Sequence, residues 1–259
     1  QMFRPLMWFD YMDPRDPLQL TDGVYGLLAR YYFLNNANIW LWGLYGDDKT
    51  KGWELIPSLK NSIEFGGRVQ VPLYNGEVAA TYHHRTADPT AVLPDSISLG
   101  EQAAENRIAL DAKVDLVVGL WAEASLIHQD LSYTDQRYKS MLNMGMDYTF
   151  GLGNGLGIMA EGFGYLQGDK PFANDEGLAF GLLSATYPIN IIHNVSAMMF
   201  YDFTNKNFNR FNNWCMAYDK WSFYLMGFWN PDTYTLYNVY PRTSLYGGWG
   251  FQLMAVFNH

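Results

Sequence analysis

Polar and apolar residues alternate with a period of two along most of the chain. Ser62, Glu64, Gly66, Arg68 and Gln70 interleave with Ile63, Phe65, Gly67, Val69 and Val71. A Tyr74-Asn75-Gly76 turn signal follows. The rhythm then resumes with Glu77, Ala79, Thr81, His83 and Arg85 against Val78, Ala80, Tyr82 and His84. Arg107, Ala109, Asp111, Lys113 and Asp115 alternate with Ile108, Leu110, Ala112 and Val114. Lys139, Met141, Asn143, Gly145 and Asp147 do the same with Ser140, Leu142, Met144 and Met146. Successive side chains on a strand point to opposite faces, whereas a helix repeats its apolar positions at i, i+3 and i+4, so these runs predict strands. Asn-Gly between two such runs is a strong hairpin signal.

Short and long connections alternate between the runs. The short ones lie near 35–36, 74–76, 116–118, 151–155, 187–190 and 219–220, and the long ones near 13–22, 47–58, 87–104, 129–138, 167–176, 204–212 and 230–247. The spacing predicts fourteen strands, at about 3–12, 23–34, 37–46, 59–73, 77–86, 105–115, 118–128, 139–150, 156–166, 177–187, 190–203, 213–218, 220–229 and 248–258. Tilted strands of roughly nine to eleven residues suffice to cross the hydrocarbon of a bilayer. Aromatic residues gather near the predicted strand ends, where interfacial girdles sit. Short turns on one side, longer loops on the other and an even strand count define the expected fold class. It is all-β: an antiparallel up-and-down transmembrane β-barrel forming one domain over residues 1–259. Both termini then fall on the short-turn side.

Residues 177–201 carry no charge and are long enough for a membrane helix. Gly177, Gly181, Pro188, Asn190, His193 and Asn194 argue against one, and the stretch reads as two strands and a turn.

Composition narrows the class. Aromatics make up 17% of the chain, with 9 Trp, 19 Tyr and 16 Phe, and charged residues are also 17%. Soluble domains carry about 25% charged residues. The net charge of −9 argues against nucleic-acid partners, whose phosphates need Lys and Arg. A single cysteine, Cys215, leaves no internal disulfide and no multi-thiolate metal site. It reads as an inert apolar residue.

The alternation assigns one set of charged residues to the face opposite the apolar one. In a membrane barrel that face lines the lumen. The candidate lumen-lining residues are Glu64, Arg68, Glu77, Arg85, Arg107, Asp111, Lys113, Asp115, Glu123, Lys139, Asp147 and Glu161, with Glu105 and His83 on the same rows. Eight acids face five bases there, so the bore is expected to be mildly negative and weakly cation-preferring. Glu64, Asp111 and Asp147 read as mid-strand positions with the most leverage on that preference. Two states of the lumen fit the list: a water-filled pore, or a filled interior whose charges form ion-pair ladders.

Other chemistry-bearing residues do not converge. His83 and His84 are adjacent on a strand and so face opposite ways, which rules out a shared metal ion. His193 and Ser196 are three apart on one strand and cannot act as base and nucleophile on one atom. The Gly151–Gly155 run is a turn needing positive φ, without the helix of a dinucleotide site. Asp169, Asp175 and Glu176, or Asp13 and Asp16, match no EF-hand spacing. No enzyme activity, cofactor or metal is expected.

Two segments carry a resemblance. The final run, Trp249-Gly250-Phe251-Gln252-Leu253-Met254-Ala255-Val256-Phe257-Asn258-His259, resembles the last strand of bacterial outer-membrane barrels, which ends in an aromatic residue. Here Phe257 is third from the end. Asp13-Pro14-Arg15-Asp16-Pro17-Leu18 followed by Asp22-Gly23-Val24-Tyr25-Gly26 resembles a segment of porin-like outer-membrane proteins of Bacteroidota. In those proteins it follows earlier hairpins, which would imply a barrel of sixteen or eighteen strands with residues before Gln1. The resemblance implies a bacterial outer-membrane location and contact with membrane lipid and lipopolysaccharide. Outer-membrane protein partners or further copies of the chain are also implied. The expected function is porin-like passive diffusion of small polar solutes or ions. The alternative is a non-conducting structural or accessory barrel that anchors partners. Its contact surface would be the 230–247 loop, with Tyr234, Tyr237, Tyr240 and Tyr246, since Tyr is favoured at interfaces.

Overall fold

A computed structural model of the chain describes residues 3, 5–6, 23–91, 102–131, 134–173, 175–231 and 246–257. They form thirteen strands in one sheet, paired in chain order, with every neighbouring pair antiparallel. The strands are β1 (Tyr25–Tyr32), β2 (Asn38–Tyr45), β3 (Ile63–Leu73), β4 (Gly76–Ala87), β5 (Ala103–Asp115), β6 (Gly119–Gln129) and β7 (Tyr138–Phe150). They continue as β8 (Leu156–Gly168), β9 (Glu176–Pro188), β10 (His193–Asp202), β11 (Asn207–Ala217), β12 (Trp221–Trp229) and β13 (Trp249–Phe257). A 3₁₀ turn at Pro89–Ala91 is the only helical element among the described residues.

The expected strand at 3–12 is not formed where it can be seen. Phe3 and Leu6 lie buried against one face of the sheet, and residues 5–6 are in a turn. An apolar residue near the start of a chain fits a strand pattern and a tertiary contact equally well. Here the contact wins, because an aromatic pocket accepts the ring. The remainder of that segment, and the expected loop at 13–22, lie outside the described residues. A second difference concerns the expected long loop at 204–212. β11 begins at Asn207, and only residues 203–206 connect it to β10. Asp202 accepts N–H bonds from Thr204 and Asn205 and closes this tight turn.

The short turns are otherwise where the pattern puts them. Tyr74 takes a left-handed φ of 53° in the two-residue β3–β4 turn. Gly76 opens β4 for a different reason: a Cβ there would stand 2.0 Å from the Lys113 carbonyl oxygen of the next strand. Gly153 and Gly155 take positive φ in the β7–β8 turn.

The two faces of the sheet have opposite polarity, and the polar one is buried over its loop-side half. On β4, Thr81, His83 and Arg85 are buried while Val78 and Tyr82 are exposed. On β5, Glu105 and Arg107 are buried while Ile108 and Leu110 are 56% and 61% exposed. Leu27, Leu41, Val69, Leu142, Leu183, Leu225, Phe251 and Leu253 continue the exposed apolar face. A soluble monomer rarely exposes an apolar patch beyond a few hundred Å². This one crosses the sheet from edge to edge.

The inner face has two halves. From β2 to β7 it is mostly charged. From β6 to β12 it is apolar, with Ile127, Met141, Phe163, Phe180, Leu182, Met198, Phe200, Phe211 and Met226 packed with Phe3. Thirteen is an odd number, so β1 and β13 point the same way. Among the described residues each has a strand on one side only.

Candidate functional site

Strand periodicity brings all twelve sequence-chosen charges to the inner face. The register makes this explicit: Glu77 stands opposite Lys113, Arg85 opposite Glu105, and Asp111 opposite Glu123. The structure divides them into two tiers.

The tier nearer the long loops is closed. Arg85 forks onto Glu105, with Nε to Oε1 at 2.7 Å and Nη2 to Oε2 at 2.9 Å. Arg107 donates from Nε to the same Oε1 at 2.5 Å, and Gln129 also donates to Glu105. A carboxylate shared by two guanidiniums needs a second acid. Glu54 supplies it from the β2–β3 loop, accepting from Arg107 Nη2 at 2.6 Å and Arg85 Nη1 at 3.2 Å. Ser58 and the Ile56 carbonyl complete Arg85. Beside them, Lys51 of the same loop bonds Glu64 at 3.0 Å and reaches Asp47 at 3.5 Å. Lys139 is buried within electrostatic reach of Glu105.

His83 joins this tier in a defined tautomer. The Trp42 indole N–H donates to His83 Nδ1 at 3.0 Å, so Nδ1 carries a lone pair. The proton is then on Nε2, which donates to Glu64 at 3.2 Å. The imidazole is neutral. Among the described residues, four carboxylates (Asp47, Glu54, Glu64, Glu105) therefore face four cations (Lys51, Arg85, Arg107, Lys139). Buried charges tolerate a low-dielectric site only when paired and hydrogen-bonded, as these are. On the loop itself, Asp48 bonds Lys60 at 2.9 Å and raises its pKa above the ordinary lysine value.

The tier nearer the short turns is more open and negative. Arg68 pairs bidentately with Asp111, at 2.5 and 2.8 Å, and donates to Thr81 at 3.1 Å. The Trp40 ring lies between two cations, 4.0 Å from Arg30 and 5.9 Å from Arg68. Gln70 donates to Glu77. Lys113 and Asp115 are both largely exposed and 3.6 Å apart. Below the closed tier, Glu77, Asp111, Asp115, Glu123, Asp147 and Glu161 stand against Arg30, Arg68 and Lys113. Among the described residues the balance there is three negative, the same imbalance the sequence pattern gives.

Glu64 departs from its expected place. It is the second residue of β3, fully buried in the closed tier, rather than a mid-strand group facing an open bore. Asp111 is internal to β5 but tied to Arg68. Asp147 is exposed near the end of β7. The sequence reading missed Lys51, Trp53, Glu54 and Ser58, because a loop has no periodicity to assign a face. Their one legible signal is a Lys-x-Trp-Glu cluster in an otherwise polar loop. Trp53 stacks on Phe163 with ring centroids 4.6 Å apart, which draws the loop across the inner face.

The outer face carries aromatic belts at both strand ends. Phe65, His84, Asn106, His128 and Tyr138 stand opposite one another across β3 to β7. Tyr82 and His84 both bond Asn106 Oδ1, at 2.7 and 3.0 Å. At the turn end, Tyr148 packs on Phe150 and Trp221 on Phe257. Tyr138 and Tyr148 are ten residues apart on β7. At about 3.4 Å per residue and a tilt near 40°, that separation spans roughly 26 Å, against the ~25 Å apolar band of outer-membrane barrels. An apolar hollow of about 650 Å³ also lies on this outer side, between Ala185, Ala197, Trp214, Leu225, Gly227 and Phe251.

His84 faces outward and His83 inward, so they share no site. Ser196 and Met198 share the inner face, which puts His193 on the outer one, where it accepts from the Trp214 indole at 3.2 Å. Cys215 is half-buried opposite Tyr224. Among the described residues, no three His, Cys, Asp or Glu side chains gather to hold a metal ion. Asp13 and Asp16 lie outside the described residues, as do Tyr234, Tyr237 and Tyr240. Tyr246 packs on Phe211 and Phe228 inside the sheet rather than at an outer surface. No family, curated protein or solved structure matches the chain.

Proposed function

We propose that the chain is a bacterial outer-membrane β-barrel that passes small polar solutes or ions by passive diffusion. The observation that carries this reading is the inverted polarity of the sheet. A soluble fold hides its apolar face, whereas here the apolar face is exposed and the ion pairs are enclosed. In a bilayer both placements are favourable: lipid covers the outer face, and the aromatic belts sit at headgroup level. A barrel requires that the β1 and β13 edges be covered, since no unpaired backbone edge survives in hydrocarbon; because the two strands point the same way, an all-antiparallel closure takes an odd number of further strands between them. Lipid and lipopolysaccharide are then the first partners. The negative turn-side tier gives the bore a preference for cations.

One observation favours the rival reading, a non-conducting anchoring barrel. The closed tier and the apolar half fill much of the inner face with side chains. Single-channel recording in a planar bilayer decides between them. Stepwise currents support the pore. Silence from protein that retains its strand content and inserts into lipid supports the anchor.

A further inference from the structure

We propose that the inner face between β5 and β10 is a binding groove for an extended peptide, with a pocket for one aromatic side chain, and that this chain's own Phe3 fills that pocket as a displaceable plug. The plug role rests on the pore reading above, while the binding groove does not.

Phe3 has no exposed surface. Its ring stacks on Phe163 at 5.0 Å with planes 13° apart, stacks on Phe180 at 6.1 Å, and meets Phe200 edge-on at 6.0 Å. Its main chain is held on both sides. The Phe3 N–H donates to Glu161 Oε2 at 2.9 Å, and Asn143 Nδ2 donates to the Phe3 carbonyl at 2.8 Å. Three residues on, Leu6 packs on Ala109 of β5. Phe3 and Leu6 therefore lie across the strands, and neither is paired into the sheet. The Phe3 pocket lies on β7–β10 and the Leu6 contact on β5.

This is a recognition geometry and not only packing. A carboxylate and a carboxamide bracket one residue's N–H and C=O, which any peptide offers. The three phenylalanine rings around the side chain select a flat aromatic group, through stacked and edge-to-face contacts that an aliphatic chain cannot make. Glu161 sits next to an apolar cluster, where a carboxylate is costly unless it accepts hydrogen bonds. The peptide N–H supplies one, and a charged acceptor makes that bond strong. Every contact is non-covalent, so a second peptide with an aromatic residue competes for the same place.

The test uses N-acetyl-4-fluorophenylalaninamide, which carries the same N–H, C=O and ring, observed by its own ¹⁹F line in lipid-reconstituted protein. Phe3→Ala is expected to bind it at least tenfold more tightly than the unmodified chain, and N-acetyl-leucinamide is expected not to compete. Equal binding by both proteins, or none by a folded Phe3→Ala variant, overturns the proposal. Phe3→Cys in a Cys215→Ser background covers the case in which Phe3→Ala misfolds. Its maleimide labelling is expected to be at least a hundredfold slower than that of Tyr74→Cys, which marks an exposed turn residue, and to accelerate when the probe is added. Labelling as fast as at position 74 overturns the proposal too. Neither readout needs a current. Silence of both the unmodified chain and Phe3→Ala in bilayers, alongside tight probe binding, removes the pore reading and leaves the groove, whereas normal currents without binding remove the groove alone.

Discussion

Glu54 Oε1 accepts from Arg107 Nη2 at 2.6 Å across a gap of 53 residues, and a loop thereby neutralises a cation set in the middle of the sheet. Among the described residues, removing Glu54 leaves Arg85 and Arg107 sharing Glu105. Breaking a buried pair on one side leaves an uncompensated charge, at a cost of about 3–5 kcal/mol. Glu54→Gln is therefore expected to destabilise by that order. Lys60→Gln, which removes an exposed pair on the same loop, should cost under about 1 kcal/mol. Urea titrations of refolding into vesicles measure both. Equal, small costs would place Glu54 in solvent.

The outer face predicts a contrast between positions one residue apart. Lys at Val69, Leu110 or Met144 is expected to cost roughly 2–4 kcal/mol at mid-bilayer depth. Gln70→Lys places an ammonium beside Glu77 on the turn-side tier and should be mild. Ala109 and Asn143 share the inner face but are covered by Leu6 and Phe3, so Lys there should be as damaging as on the outside. The same refolding titration reads all six.

Strand periodicity made the sheet legible. Period-two runs such as 77–86 and 105–115 allow only one division into faces, and the register follows from the turns. The charged candidates were legible by the same rule, because a face assignment needs only parity. Their partners were not. Glu105 serves both Arg85 and Arg107, and Glu54 and Lys51 arrive from a loop with no period. Phe3 carries no local signal for a tertiary pocket, since an apolar residue fits a strand pattern equally well. The start of β11 is not legible because Asn207, Asn209, Asn212 and Asn213 have the composition of a loop, yet these amides fill positions on both faces of a strand.

Selectivity should follow the turn-side tier. A weak cation preference is expected at 0.1 M salt and should fade near 1 M, as the screening length falls from about 10 Å to about 3 Å. Asp147→Asn and Glu123→Gln are expected to move the reversal potential in a tenfold KCl gradient toward zero. Glu64→Gln should leave it nearly unchanged, since Lys51 and His83 enclose that carboxylate. Anion preference, or a large shift from Glu64→Gln, would place the constriction in the closed tier.

The inverted polarity is tested most directly by spin labels at Val78, Ala80, Tyr82, Ile108 and Leu110, in a Cys215→Ser background reconstituted into vesicles. Collisions with oxygen, which dissolves in lipid, are predicted to exceed those with a water-soluble nickel chelate at all five sites, most strongly at Ala80 and Leu110. Labels at Gln70 and Asp115 on the opposite face are predicted to show the reverse. Higher nickel than oxygen accessibility at Ala80 and Leu110 would mean that this face meets water, and would contradict the account.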